Sequence, residues 1–155
     1  MRELQHLENL TEDGNLRRKV AAIIRDAKAH GYDITIYSSL RTVAEQKEKV
    51  RLGYSKTMKS KHLPGWDGLS RAVDLADSKT AWGCHRTTWL MIGRLALTKG
   101  LKWGGLWGLP LKTRKRLVAF LIAEHTEENP FRPLDWVNED GKPGPLGWDA
   151  AHVEL

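Results

Sequence analysis

A chain of 155 residues, 41% of them apolar and 28% charged, has the size of one compact domain and falls outside the disordered and low-complexity classes. Its single cysteine, Cys84, excludes an internal disulfide and a cysteine-rich metal site, so any metal has to rest on His, Asp or Glu. A formal charge of +6 and a pI of about 9.5 favour polyanionic partners such as nucleic acid, anionic lipid or a wall polymer, without choosing among them.

No apolar run approaches the roughly 20 residues that cross a bilayer. The opening MRELQHLENLTEDGNLRRK has no apolar stretch and no small-residue cleavage site, so it does not read as a secretory signal. The expectation is synthesis in a cytoplasm without membrane insertion.

Asn15 to His30 reads as an amphipathic helix, with Leu16, Val20, Ile23, Ile24 and Ala27 at helical spacing and Gly31 as its stop. Asp33 to Ser38 alternates Ile34 and Ile36 with polar neighbours and reads as a strand. Thr42 to Leu52 reads as a second helix ending near Gly53, and 54 to 70 as a long loop. Arg71 to Ala76 reads as a short strand, and Arg86 to Lys99 as a buried helix stopped by Gly100. Lys102-Trp103 begins a strand broken by Gly104-Gly105. Thr113 to Glu124 is a basic helix, 126 to 147 a loop or lid-like segment, and Asp149 to Leu155 a closing strand. Helices and short strands without regular βαβ alternation predict an α+β domain with a small, largely antiparallel sheet flanked by helices.

Three segments set polar residues in apolar surroundings: Ser60-Lys61-His62, Arg71 to Leu75 around Asp74, and Trp148 to Glu154 around His152. Each residue alone has an ordinary reading: a loop histidine, an aspartate paired with a nearby Arg or Lys, a hydrogen-bonded core histidine. Together, His62, Asp74 and His152 make two imidazoles and a carboxylate, a set that suits zinc and leaves a fourth position for water. Zinc lowers the pKa of such a water to about 7, and a separate base must take its proton. Asp149, three residues before His152, reaches the same site if the chain bends at 149–151, since strand alternation would point the two apart.

The pattern SSLRT, SKH, RAVDLAD, GLKWGGLW and WDAAHVEL resembles the hedgehog-type zinc peptidases of the bacterial cell wall. These include D-alanyl-D-alanine carboxypeptidases and the L-alanyl-D-glutamate endopeptidases that serve as phage endolysins. The likeness covers roughly residues 35 to 107 and 148 to 155. It implies a zinc site on the sheet, with His62, Asp74 and His152 as ligands and Asp149 as general base. It implies that Arg41 polarises the scissile carbonyl or steadies the oxyanion, that Ser60 contacts the substrate or orients the histidine ligand, and that Gln46 lies near the substrate. Trp103, Trp107 and Trp148 lie near motif positions where they would wall the cleft, although large aromatics are more often core residues than ligand platforms. Cys84, His85, His6, His30 and His125 have no role in the pattern; the first two read as structural and the last three as surface residues.

Two departures stand out. Eleven residues separate His62 from Asp74, more than the family usually has, which makes Asp67 a rival ligand; the strand-like setting of RAVDLA favours Asp74. About forty residues separate Trp107 from Trp148, read as an insertion at 108–147 that borders the cleft, contacts the wall, or only adds packing. The resemblance implies a monomeric catalytic domain over residues 1–155. Its substrate would be the peptidoglycan stem peptide, cut at the L-alanyl-D-glutamate bond for host lysis after the membrane is opened. A carboxypeptidase removing terminal D-alanine and an inactive zinc-stabilised wall-binding module are the alternatives. Nucleic acid is not an expected partner, since no helix-turn-helix, RNP or zinc-knuckle pattern accompanies the charge.

Overall fold

The computed structural model describes residues 2–155, the side chain of Arg2 excepted. Five α-helices surround a sheet of four short strands: α1 (Arg2–Glu8), α2 (Leu16–Ala29), β1 (Ile34–Ser38), α3 (Val43–Arg51), β2 (Ala72–Asp77), α4 (Arg86–Thr98), β3 (Lys102–Trp103), α5 (Leu111–Ile122) and β4 (His152–Glu154). The sheet order is β1-β2-β4-β3 and every pair is antiparallel. This is the expected α+β architecture, with boundaries within about two residues for the helices read from periodicity.

Strand alternation divides the sheet into two chemically distinct faces. Ile34, Ile36, Val73, Leu75, Trp103 and Val153 are buried in the core, where they meet Val20 and Ile23 of α2 and Leu90 and Ile92 of α4. The opposite face carries Asp74, His152 and Glu154. Asp74 stands directly across from His152 in the β2–β4 register, close enough for the two side chains to meet. A bulge between Ile36 and Ser38 shifts the β1–β2 register by one residue and sets Ser38 opposite Asp74.

α3 starts with a capping box, in which the Thr42 hydroxyl accepts from Glu45 N–H and the Glu45 carboxylate accepts from Thr42 N–H. His85 caps α4, its ring nitrogen accepting from Thr87 N–H at 3.2 Å, so the structural reading of His85 has a physical content. The short helix α1 was not expected. Trp103 takes the core place that a large aromatic more often has: it is 1% exposed, with its indole N–H donated to the Ala150 carbonyl at 2.7 Å. Two histidines expected at the surface are not simple surface groups: His6 Nδ1 lies 2.7 Å from Ser39 Oγ, and both ring nitrogens of His125 are buried.

Residues 108–145 line no part of the cleft described below. Leu117 and Leu121 of α5, together with Trp136, join the core on the α4 side. Packing is therefore one role of the 108–147 segment, and its last two residues, Leu146 and Gly147, reach a recess beside the cleft. Among the described residues no helix is long and apolar enough to cross a membrane.

Gly93 shows how tightly α4 meets the sheet: a Cβ there would lie 2.6 Å from Cε3 and Cζ3 of Trp103. The indole is pinned by its hydrogen bond and cannot retreat cheaply. Gly93→Ala is therefore expected to cost about 1–3 kcal/mol through overpacking. Urea unfolding should give a lower midpoint at unchanged m-value; an unchanged midpoint would mean that the ring moves aside freely.

Candidate metal centre and cleft

The polar face of the sheet gathers His62, Asp74 and His152 although 90 residues separate the two histidines. β2 supplies Asp74 and β4 supplies His152. His62 comes from the loop after α3, held by its own backbone: Arg41 N–H donates to the His62 carbonyl at 2.9 Å and Arg71 N–H to the Lys61 carbonyl at 2.9 Å. The Ser60 hydroxyl accepts from His62 N–H at 3.2 Å, which tightens the turn that presents the ring.

Three atoms converge. His62 Nε2 lies 3.2 Å from His152 Nδ1 and 3.3 Å from Asp74 Oδ1, and His152 Nδ1 lies 3.3 Å from the same oxygen. Each residue is at least nine-tenths buried. The far side of each ring is already committed. His62 Nδ1–H donates to the Ser39 carbonyl at 2.6 Å, and a carbonyl can only accept. His152 Nε2–H donates to Glu154 Oε1 at 2.9 Å. The nitrogens facing inward therefore present lone pairs, toward each other and toward a carboxylate oxygen. Three lone pairs in van der Waals contact require positive charge between them.

Protons meet that demand in the metal-free chain. Burial works against charge on His152, but Asp74 and Glu154 outweigh it and push the imidazole up to about 9. Burial would likewise raise Asp74, yet hydrogen bonds from His152 and His62 hold it well below the usual carboxylate range. A cation competes with those protons for the same lone pairs. The fit is geometric as well. A tetrahedral ion with ligands at about 2.0–2.1 Å has ligand-to-ligand edges of about 3.3–3.4 Å, against the 3.2, 3.3 and 3.3 Å found here. His62, Asp74 and His152 could thus hold a divalent ion on one face, leaving its other side to the cleft.

Asp149 reaches the same place through a turn over 148–151, closed by the His152 N–H donating to the Asp149 carbonyl at 3.1 Å. This is the bend that strand alternation alone would not supply. Asp149 Oδ2 stands 4.0 Å from His152 Nδ1, outside the triangle but beside it. Burial, with the charge of Asp74 adding to it, pushes its carboxyl up to about 6. Gly104 makes the approach possible, since a Cβ there would collide with the Asp149 carbonyl oxygen.

Arg41 ties the second oxygen of Asp74. Its guanidinium donates to Asp74 Oδ2 at 2.7 Å, to Gln46 Oε1 at 3.1 Å and, through Nε, to Ser38 Oγ at 3.2 Å. Three of its five N–H groups are engaged, and the side chain still borders the cleft. Gln46 stands elsewhere than expected. It is 0% exposed, and its amide donates to Ser55 Oγ at 2.9 Å and the Thr57 carbonyl at 2.8 Å. It lies behind Arg41, locking the 55–57 loop to it, and does not face the cleft. Asp67, the rival ligand, accepts from Thr11, Leu69 N–H and Arg71, a strap between the loop and the chain before α2 that is separate from the triangle.

The cleft measures about 720 Å³. It is lined by His62, Asp74, His152 and Asp149, by Ser60, and by the lysines Lys49, Lys56, Lys59 and Lys61. Trp107 packs on the His152 ring at 4.8 Å and on Trp148 at 5.2 Å. Trp148 is half exposed, with the Lys56 ammonium 4.7 Å from the centre of its ring. Two supports of the metal face were not foreseen: Glu154, whose position two residues after His152 puts it on the same strand face, and the Ser39 carbonyl, which side-chain types cannot announce.

Comparison with known proteins bears on the fold and the family. The family model for phage L-alanyl-D-glutamate peptidases matches residues 2–109, ending where the α5 segment begins. The L-alanyl-D-glutamate peptidase of Listeria phage A118 is 30% identical over 113 residues, covering 68% of this chain; the match spans 37% of that longer protein. The crystal structure of the Serratia marcescens L-Ala D-Glu endopeptidase ChiX has the same fold, with a TM-score of 0.51 over 99% of this chain and 86% of that one, at 21% identity. The chain belongs to the phage L-alanyl-D-glutamate peptidase family.

Proposed function

We propose that this chain is a zinc-dependent endopeptidase that hydrolyses the L-alanyl-D-glutamate bond in the stem peptide of peptidoglycan, as the lytic enzyme of a phage, working as a monomer. It would reach the wall once the membrane has been opened. The observation that carries this reading is the triangle of inward lone pairs with an unliganded carboxylate, Asp149, beside it. A purely structural site has no use for the extra carboxylate or for an open cleft above the ion, which speaks against an inactive wall-binding module.

When bound, zinc supplies a water acidified to near neutrality and a Lewis acid for the scissile carbonyl. The residues do the rest. His62, Asp74 and His152 would hold the ion, with Ser39 and Glu154 fixing the tautomer and tilt of each ring. Asp149 accepts the proton of the attacking water and returns it to the leaving amine nitrogen, the two halves of general acid–base catalysis. Arg41 turns its remaining N–H groups toward the carbonyl oxygen as negative charge develops there. Trp107 covers the His152 side and keeps bulk water from the ligands. The lysines lining the cleft complement the carboxylates of the substrate, glutamate's own included.

Digestion of purified peptidoglycan followed by mass spectrometry should release peptides with a new N-terminal glutamate; release of free D-alanine alone would replace the endopeptidase reading with the carboxypeptidase one. Chelation should abolish cleavage and zinc restore it. His62→Ala and Asp74→Ala should lose both stoichiometric zinc and lysis, while Asp67→Ala keeps its zinc. Asp149→Ala should retain zinc and lose about 10²–10⁴-fold in kcat, the usual worth of a positioned general base. Full activity in that variant would remove Asp149 from the mechanism.

A further inference from the structure

A second cavity of about 310 Å³ adjoins the cleft, lined by Trp82, Trp89, Leu146, Trp148, Asp149 and the small residues 147, 150 and 151. Trp82, Trp148 and Asp149 line both spaces, so the cleft continues past the proposed base into an aromatic recess. The two sides differ in charge. Lys49, Lys56, Lys59 and Lys61 border the cleft, Lys56 over the Trp148 ring that both spaces share, and no charged residue except Asp149 borders the recess.

Trp82 is held in place for exposure. It is 53% exposed, yet it follows a turn in which Asp77 Oδ1 accepts from the N–H groups of Lys79 and Thr80 at 2.8 Å each. Ala81 N–H donates to the Asp77 carbonyl at 3.0 Å. Ala81 has φ 51°, a left-handed conformation that costs an L-residue about 1–2 kcal/mol. Tyr37 stands edge-on to the Trp82 ring at 5.2 Å, and its hydroxyl donates to the Asp77 carbonyl at 2.7 Å. A tryptophan fixed this firmly but left half open presents a pre-ordered flat surface, which loses little entropy when something stacks on it.

We propose that the recess between Trp82, Trp89 and Leu146 is a sugar subsite that receives the N-acetylmuramic acid ring on the N-terminal side of the scissile bond; this rests on the endopeptidase reading above. In peptidoglycan the alanine nitrogen is acylated by the lactyl group of that sugar, so an uncharged ring lies one residue on the N-terminal side of the bond. The carboxylates all lie on the C-terminal side. Placing the acidic half along the cleft lysines puts the sugar beyond Asp149, in the aromatic recess. There the C–H bonds of the pyranose face meet the negative face of an indole, as other positive edges do. Lysines along the cleft and a lysine-free aromatic recess past Asp149 give the peptide a single direction.

The test compares two purified substrates: the disaccharide-tetrapeptide released by a muramidase and the same tetrapeptide freed of sugar by an amidase. Wild type should show kcat/KM about three- to tenfold higher on the sugar-bearing substrate, the worth of one aromatic stacking contact. Trp82→Ala should bring that ratio close to one, mainly through KM, and Trp82→Phe should keep part of it. A wild-type ratio of one, or a Trp82→Ala variant that slows on both substrates in equal proportion, would overturn the subsite. Wild type that cuts neither substrate would overturn the endopeptidase reading beneath it.

Discussion

Everything in this site follows from one electrostatic constraint. Two imidazoles and a carboxylate oxygen are packed within 3.3 Å of one another, with their spare protons turned outward. In a buried setting such an arrangement is repulsive unless positive charge sits at its centre. The fold therefore does not merely tolerate a cation or protons there; its packing of β2 against β4 and of the His62 loop against Arg41 presupposes them. The supporting contacts are built to the same end. Ser39 and Glu154 each take one outward N–H, and Arg41 takes the outward oxygen of Asp74.

This constraint explains which parts of the chain were legible in its sequence. His62, Asp74 and His152 stood out because a charged or titratable group inside an apolar strand pattern needs a partner, and three such groups can satisfy one another. The main helices were legible because their apolar residues recur at the helical period over ten or more positions. α1 was not, since seven residues hold too few turns to show a period and short helices depend on tertiary contacts. Gln46 was misplaced for a different reason. Its place near the substrate came from the resemblance alone, and only the 55–57 loop folding back over it makes it a buried link behind Arg41. Trp103 and Trp107 are the same residue type four positions apart, and only the strand register sends one into the core and leaves the other against His152.

The Asp149 turn shows local sequence serving distant geometry. Strand alternation from His152 would carry residue 149 to the far face, and the turn at 148–151 cancels that. It needs a neighbour with no side chain, and Gly104 is that neighbour. The GGLW segment that ends β3 and the WDAAH segment that begins β4 are thus two halves of one contact. Trp103 joins them again from the other side, donating to the Ala150 carbonyl. A change at either segment would move Asp149 relative to His152 before it altered the triangle of His62, Asp74 and His152.

The α5 segment lies away from the polar face of the sheet. The family match stops at residue 109, and the residues that follow pack on α4, across the core from the polar face of the sheet. Adding a helix there enlarges the apolar core through Leu117, Leu121 and Trp136 without entering the cleft, and the chain then returns at residue 148 to complete the site with β4. The two ends of the segment are held together, because Gly147 N–H donates to the Gly105 carbonyl and Trp148 N–H to the Trp107 carbonyl. Closing the segment at its base means that its length is decoupled from the ligand geometry. A backbone clamp of this kind lets the rear of the molecule grow while Asp74 and His152 keep their register.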